Sequence, residues 1–290
     1  MLSIALPKGS LEEQTMLLFA QADLQVKKSS RAYNPTIDDP RVGKVKILRP
    51  QEIPGFVAEG YFDLGISGHD WVTESGADVV EVAELPYAKT GAGVVNMVLA
   101  VPEDAPVGSA QDVAPGSRIS TEFPNITKAY FDRLGIPVEV HFSYGATEAK
   151  VPELMDALVD LTETGATLRR NGLRIVETLM TSTTRLFASR DAWEDPDKRR
   201  EIEEIRTLLL GVIEARGRVL LSMNVSEDKL DAVVAQLPAM KRPTVNRLYA
   251  VDYLEVTTVV DKAGVNILIP KLKAAGAEDI LELAISKIVR

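Results

Sequence analysis

Residues 44–71, KVKILRPQEIPGFVAEGYFDLGISGHDW, change their hydrophobic period repeatedly over a short span. KVKILRP reads as a strand closed by Pro50, whose ring removes the next ladder donor. QEIPGFVAEG has room for a short helix, YFDLGISG is an apolar strand running into a glycine-containing loop, and HDWVTESG opens a further helix. Alternating strands and helices predict an open α/β sheet, mostly parallel, because each helix returns the chain to the edge where the next strand starts.

The alternation extends to both sides. LSIALP (2–7) reads as a buried strand, and Ser10 followed by Glu13 is a capping-box pattern opening a helix through Leu11, Met16, Leu17 and Phe19. From about Gly91 the pattern restarts, with GAGVVNMVLAVP and SRISTEF as strands, PNITKAYFDRLG as a helix closed by Gly135, and PVEVHFSYG as a strand. A short helix at VPELMDA, a strand at LVDL and a helix turn at GATLRRNGL follow. RIVETLMTSTTRLFAS then holds two strand-like runs. The order predicts two lobes: residues 1–92 with 180–213, and residues 93–179 inserted between them.

PDKRREIEEIRTLLLGVIEARGR carries apolar residues at 202, 205, 208, 209, 212 and 213, the period of an amphipathic helix, with Pro196 in its first turn. The remainder, 214–290, runs β-α-β-β-α-β, with Ser226 as a helix N-cap and Gly276 as a helix stop. That is the ferredoxin-like plan.

Composition excludes whole classes of chemistry. With no cysteine there are no disulfides, thiolate nucleophiles or Cys-based metal sites, and His69 and His141 are too few for a multi-histidine zinc centre. A net charge of −9 without a dense Lys/Arg stripe argues against a nucleic-acid partner. The longest apolar run is far short of a membrane span, and the N-terminus shows no signal-peptide pattern, so no membrane partner and a cytoplasmic location are expected. Small anions remain open, since a few cations, a helix start and bound Mg²⁺ make a local positive site on an acidic protein.

Chemistry-bearing residues cluster where strands end. DLTETGATLRRNG (160–172) lacks the P-loop Gly-Lys-Ser/Thr and the dinucleotide G-x-G-x-x-G. Its backbone N–H groups and the Thr162, Thr164 and Thr167 hydroxyls can ring a phosphate, Gly165 allows close approach, and Asp160 is placed for ribose hydroxyls or Mg²⁺. The same residues also make an ordinary threonine-rich helix cap, and the stretch alone does not choose. Lys8 in PKGS is a phosphate partner or a surface lysine; Arg49 is a second cation or an edge residue. Asp70 in GISGHD is a ligand contact or an N-cap, His69 a base or a loop residue, and Glu148 in GATEAK a site residue or a solvated one.

Taken in order, LPKGSL, RPQEIPGFVAEGYFDLGISGHDWVTE, RISTEFPNITKAYF, DLTETGATLRRNGL and the C-terminal NV…LPAMKRPTVNRL resemble the long form of the ATP phosphoribosyltransferase family over essentially the whole chain. The resemblance implies an α/β, two-lobe, periplasmic-binding-protein-like core and a C-terminal ferredoxin-like, ACT-like βαββαβ regulatory domain. It implies the Mg²⁺-dependent reaction of ATP with PRPP (5-phosphoribosyl 1-pyrophosphate), giving N1-(5-phosphoribosyl)-ATP and pyrophosphate.

Carried over by motif, Thr162, Glu163, Thr164, Gly165, Ala166 and Thr167 hold the ribose 5-phosphate, and Asp160 and Glu148 face ribose hydroxyls or metal. Lys8, Gly9, Arg49, Gly68 and Asp70 face nucleotide or pyrophosphate. Feedback inhibition by L-histidine at Asn224 and Thr244, and a homo-oligomer moving between dimer and hexamer, are implied as well. One departure is ELMD (153–156), where family members often show Gly-Leu-Ala-Asp; Asp156 keeps the acidic position. Two rivals remain in view: a ligand sensor of the same fold, which has no need of DLTETGAT, and a free-base phosphoribosyltransferase, which normally pairs two acids where Leu161 follows Asp160.

Overall fold

The computed structural model describes residues 1–28, 34–87, 93–238 and 242–290. Gly91 and Ala92 of the strand expected from GAGVVNMVLAVP, and Ala239–Lys241 of the C-terminal motif, lie outside the described residues. The chain divides into two units, Met1–Arg206 and Thr207–Arg290.

The first unit runs β1 (Leu2–Pro7), α1 (Glu12–Gln21), β2 (Val26–Lys27), β3 (Thr36–Ile37), β4 (Val42–Leu48), α2 (Ile53–Ala58), β5 (Leu64–Gly68), α3 (His69–Ser75) and β6 (Val80–Leu85). It continues with β7 (Val94–Pro102), β8 (Arg118–Thr121), α4 (Pro124–Leu134), β9 (Glu139–Phe142), β10 (Ala157–Thr162), α5 (Ala166–Arg170), β11 (Leu173–Ala188) and α6 (Arg190–Glu194). Helix α7 (Pro196–Ala215) follows, and the division between the units falls inside it.

One sheet has the order β4-β1-β5-β11-β7-β10-β8-β9, with β6 also on β11. Its two flanks are parallel, as alternation with helices requires. The centre is not: β11 runs antiparallel to β5, β6 and β7, and β10 antiparallel to β7. The expectation of a mostly parallel sheet is corrected there. The reason is that the chain crosses between lobes through strands rather than helices. The two expected runs at 174–189 form one 16-residue strand, β11, because Val, Ile, Thr and Met continue without a turn residue. Its register passes from β7 at Thr183↔Val94 to β6 at Thr184↔Leu85, so the crossing back to the first lobe falls at that step.

Local corrections follow the same logic. Gly9 takes a positive φ of 84° and a 3₁₀ turn (Gly9–Leu11) precedes α1, so the Ser10–Glu13 capping box does not form; the Glu12 carboxylate accepts from Gly9 N–H instead. Residues 151–156 make turns rather than a helix. Asp70 is the second residue of α3 and Gly68 the cap position, because the strand's extended backbone persists through Gly68. Phe123, Phe131, Met97, Leu99 and Val159 close the second lobe's core; Ile53, Val57, Phe62 and Phe187 close the first lobe's.

The second unit folds as β12 (Arg218–Ser226), α8 (Leu230–Val234), β13 (Thr244–Arg247), β14 (Tyr253–Asp261), α9 (Val265–Ala275) and β15 (Ala277–Ala284), in the sheet order β13-β14-β12-β15 with every ladder antiparallel. This is the expected ferredoxin-like arrangement. Ser226 makes no side-chain cap, since a 3₁₀ turn precedes the short α8. Leu221, Met223, Val225, Val256 and Val260 form its core with Val265 and Leu272.

Candidate active site

The candidate segments PKGS, RPQ, GISGHD and DLTETGAT of the first unit sit at the C-terminal ends of strands. Lys8, Gly9 and Ser10 follow β1, Arg49, Pro50 and Gln51 follow β4, and Trp71 lies in α3 just past β5. From the other lobe, Glu122 and Phe123 follow β8, and Asp160 and Leu161 lie near the end of β10. Together they line one cleft of about 380 Å³, within the range of small-molecule sites. An adjoining chamber shares Ser10, Pro50, Trp71 and Leu161 with it and adds Gly68, Asp70, Ser182 and Thr183. A hollow of about 450 Å³ along Thr36 and Lys44 holds none of the candidate residues.

Asp160 is the most perturbed acid of the cleft. Burial pushes its pKa up to about 6, and the charges of Glu122 and Glu148 push the same way. The Leu161 N–H, 2.7 Å from Oδ1, and the Thr147 hydroxyl oppose the rise. Glu122 and Glu148 thus lie near enough to Asp160 for their charges to disfavour its ionised form. Glu148 lies in the 3₁₀ turn Thr147–Lys150, whose Lys150 donates to Ser143 Oγ at 2.5 Å. Neither Glu148 nor the turn 162–167 lines the cleft cavity itself, although the turn follows directly on Leu161.

The turn is held in shape by its own hydroxyls. Thr162 Oγ1 accepts from Gly165 N–H at 2.8 Å, Thr164 Oγ1 accepts from Ala166 N–H at 3.4 Å, and Arg169 Nη2 donates to the Thr164 carbonyl at 2.9 Å. Gly165 has φ +69°, and a Cβ there would stand 3.0 Å from both Arg169 Nη1 and Ile175 Cδ1. Helix α5 is only five residues long, so a strong helix dipole is absent. The groups this turn can offer an anion are its N–H groups and hydroxyls, with Arg169 bonded to its Thr164 carbonyl. Thr164 and Thr167 are exposed; Glu163 and Ala166 are half-buried.

Asp70 is 3% exposed; burial raises its pKa, opposed by the Ser182 hydroxyl and the Trp71 N–H at 2.7 Å. His69 Nδ1 lies 3.0 Å from Glu81 Oε1, a half-exposed contact that occupies the ring nitrogen. Asp156 lies at the other end of β10 from the turn, where it accepts from the Arg118 N–H at 2.8 Å and its guanidinium at 2.9 Å.

The family model described as ATP phosphoribosyltransferase matches residues 49–211, and the model for the HisG C-terminal domain matches 215–287. The chain belongs to the ATP phosphoribosyltransferase family. It is 45% identical over 288 residues to the ATP phosphoribosyltransferase of Pelotomaculum thermopropionicum, covering 99% of both chains. It is 46% identical to that of Desulforudis audaxviator over the same share of each. Among solved structures, the ATP phosphoribosyl transferase (HisG:HisZ) complex from Thermotoga maritima aligns with a TM-score of 0.64 at 27% identity. It covers 74% of this chain and 99% of that one. The chain is therefore a transferase of histidine biosynthesis with the long form's C-terminal domain.

Against that family background, the cleft brings together Lys8, Gly9, Arg49 and Asp160, with Glu148 beside Asp160. Asn224 and Thr244 lie in the second unit, on β12 and the edge strand β13. Sequence reading missed Glu122, Trp71 and Thr183. Glu122 stood at the end of the strand RIST, the same position that singled out Asp160, and that signal was available.

Proposed function

We infer that this ATP phosphoribosyltransferase joins ATP and PRPP to give N1-(5-phosphoribosyl)-ATP and pyrophosphate, the first step of histidine biosynthesis, with ATP-binding and PRPP-binding groups on opposite walls of the cleft. The observation carrying the reading is the placement of Asp160, with a pKa near 6, in one cavity with Lys8 and Arg49. In this reading the turn Thr162–Thr167 grips the ribose 5-phosphate, and Asp160 accepts from a ribose hydroxyl. Lys8, Gly9, Arg49, Gly68 and Asp70 meet nucleotide or pyrophosphate.

The adenine N1 lone pair forms the new bond to the anomeric carbon as the bond to pyrophosphate breaks and its electron pair leaves with the oxygen. N1 carries no proton at neutral pH, so bond formation needs no base. The residues contribute alignment of two polyanions and positive charge where the leaving group departs.

Magnesium fits these residues as a substrate-borne ion. Among the described residues no set of three acidic or histidine side chains is arranged to hold a metal, whereas the repelling pair Asp160 and Glu148 offers hard oxygen donors. Bound there with the substrate phosphates, Mg²⁺ would neutralise charge developing on pyrophosphate.

The assay is direct: protein, ATP, PRPP and Mg²⁺ give phosphoribosyl-ATP, followed by ultraviolet absorbance. Absence of product while PRPP binds overturns the reading. The C-terminal unit is read as the L-histidine sensor of a cytoplasmic homo-oligomer that shifts between dimer and hexamer, with Asn224 and Thr244 at the effector site. Inhibition requires histidine to favour one assembly over the other. Light scattering with and without histidine tests this, and an unchanged mass together with unchanged rate removes it.

A further inference from the structure

We propose that Lys150, Ser143 and Thr147 are positioning residues: a one-way hydrogen-bond chain that starts at the Lys150 ammonium, ends on the Asp160 carboxylate and fixes how that carboxylate faces its substrate. This rests on the reaction inferred above and extends it to side chains that do not line the cleft.

The fold gathers the members of the chain at one rim of the sheet. Strand β8 lies between β9 and β10, so Ser143, just past β9, stands two strands from Asp160. The Ser143 N–H donates to the Thr121 carbonyl of β8 at 2.8 Å, which carries the β8–β9 pairing one residue beyond the end of β9. The 3₁₀ turn Thr147–Lys150 then packs against both β8 and β10. Its entry is tight: Gly145 and Ala146 take φ of +116° and +48°, the second uncommon for a residue with a Cβ. Backbone of that kind persists where the surrounding contacts dictate it.

The direction of the chain follows from what each group can donate. Lys150 Nζ carries hydrogens and no lone pair, so at 2.5 Å from Ser143 Oγ it donates and Ser143 accepts. The Gly145 N–H, 3.3 Å away, is a second donor to the same oxygen. The Ser143 hydrogen then has Thr147 Oγ1 at 2.9 Å as a nearer acceptor than the Gly145 carbonyl at 3.2 Å. Thr147, having accepted, keeps its own hydrogen, and the Asp160 side chain is its other hydrogen-bond partner. Ser143 and Thr147 are each 1% exposed, so water does not compete for either hydroxyl.

Without Lys150 the Ser143–Thr147 pair is symmetrical, and either oxygen can donate to the other. If Thr147 donates to Ser143, Asp160 loses its donor. The ammonium removes that alternative. It also explains a half-buried lysine whose hydrogen-bond partner, among the described residues, is a hydroxyl and not a carboxylate. The Leu161 N–H on Asp160 Oδ1 belongs to β10 itself, so Thr147 is the tie that reaches Asp160 from another element.

The test is a double-mutant cycle on Lys150→Met and Thr147→Val, with Thr147→Ser beside it, read by steady-state kinetics with ATP, PRPP and Mg²⁺. Each single variant lowers kcat at least about tenfold, the size of a lost hydrogen bond to a charged group. KM for ATP stays within about twofold, because Asp160 meets the ribose of the other substrate. The double variant is no slower than the slower single one, since both changes cut the same chain. Thr147→Ser keeps the hydroxyl and stays within about threefold of the parent.

Parental kcat in Lys150→Met, losses that add in the double variant, or a Thr147→Ser protein as slow as Thr147→Val overturns the assignment. If Lys150→Met does not fold, the Thr147→Ser and Thr147→Val comparison decides alone. The same cycle in melting temperature of the ligand-free protein separates the chain from the reaction. Non-additive melting shifts with no product from the parent support the chain and overturn the reaction instead.

Discussion

Glu74, in α3 of the first lobe, caps the first turn of α4 in the second: its two carboxylate oxygens accept from the Asn125 and Ile126 N–H groups at 2.9 Å each. Asn125 answers by donating its side-chain amide to the Glu74 carbonyl at 3.0 Å. A negative side chain at a helix N-terminus is favourable, and here the carboxylate comes from the opposite wall of the cleft, so the cap also fixes how far the lobes stand apart. Glu74→Ala should cost about 1–3 kcal/mol of stability, the range for losing hydrogen bonds to a charged acceptor. It should also raise KM for both substrates more than it lowers kcat. Thermal melts and steady-state kinetics check this, and a variant with parental Tm and KM refutes the role.

Asp160 gives a pH prediction of defined sign. Its folded pKa is raised from 3.8 to about 6, so the folded state takes up a proton more readily than the unfolded chain. The stability this group contributes is fully present below pH 3.8 and is lost as pH rises through about 6. At about 1.4 kcal/mol per pH unit, ionised Asp160 costs about 3 kcal/mol at neutral pH. Asp160→Asn should therefore raise the Tm of the ligand-free enzyme at pH 7, flatten its pH dependence between 4 and 6, and abolish turnover. Lower Tm in the variant at pH 7 would show that the carboxylate is stabilising and the account wrong.

These two carboxylates also mark how far the sequence was readable. Asp160 was visible because a short apolar strand led straight to a glycine-containing turn, and local period alone places such a residue at a sheet's C-terminal rim. Glu74 was invisible: its importance comes from a helix 51 residues further on, and nothing in VTESG announces that partner. Thr183 was hidden for the same reason, since its buried, unpaired hydroxyl is a property of the surrounding packing.

The one-strand β11 was misread as two runs because a strand that changes sheet partners midway changes its burial pattern without a turn. The ferredoxin-like unit was legible throughout, as its strands alternate buried and open positions, LSMNVS and LEVTTVVD most clearly.

Gly165 should tolerate no side chain. Its φ of +69° lies in the left-handed region, and an added Cβ would press on Arg169 Nη1 and Ile175 Cδ1 at 3.0 Å. Valine adds β-branching to both strains, so the turn must reopen and the Thr162–Gly165 hydrogen bond must break. Gly165→Val should remove PRPP binding, read by calorimetry, while the second unit stays folded. Retained PRPP affinity would show that the phosphate sits elsewhere.

Regulation should be separable from catalysis on the open face of the C-terminal sheet. Along β12 the buried residues alternate with Ser222 and Asn224, which lie on the less covered face. Register aligns Ser222 with Thr257 and Thr257 with Thr244, and the next row on that face aligns Asn224 with Glu255. Ser222 donates to Glu255 at 2.8 Å, and Asn224 donates to Asp279 at 2.9 Å, so the patch is polar, acidic and pre-arranged. In the proposed reading, the ammonium group and imidazole of histidine would meet these acceptors.

Asn224→Ala combined with Thr244→Val should therefore raise the histidine concentration needed for half-inhibition at least about tenfold, a loss near 1.4 kcal/mol of coupling. The uninhibited rate should stay within about twofold, because neither residue lies in the unit that carries the cleft. Inhibition curves at fixed ATP and PRPP decide it. Unchanged half-inhibition would move the effector site off this face, and an equal fall in uninhibited rate would mean that the two residues support activity rather than its control.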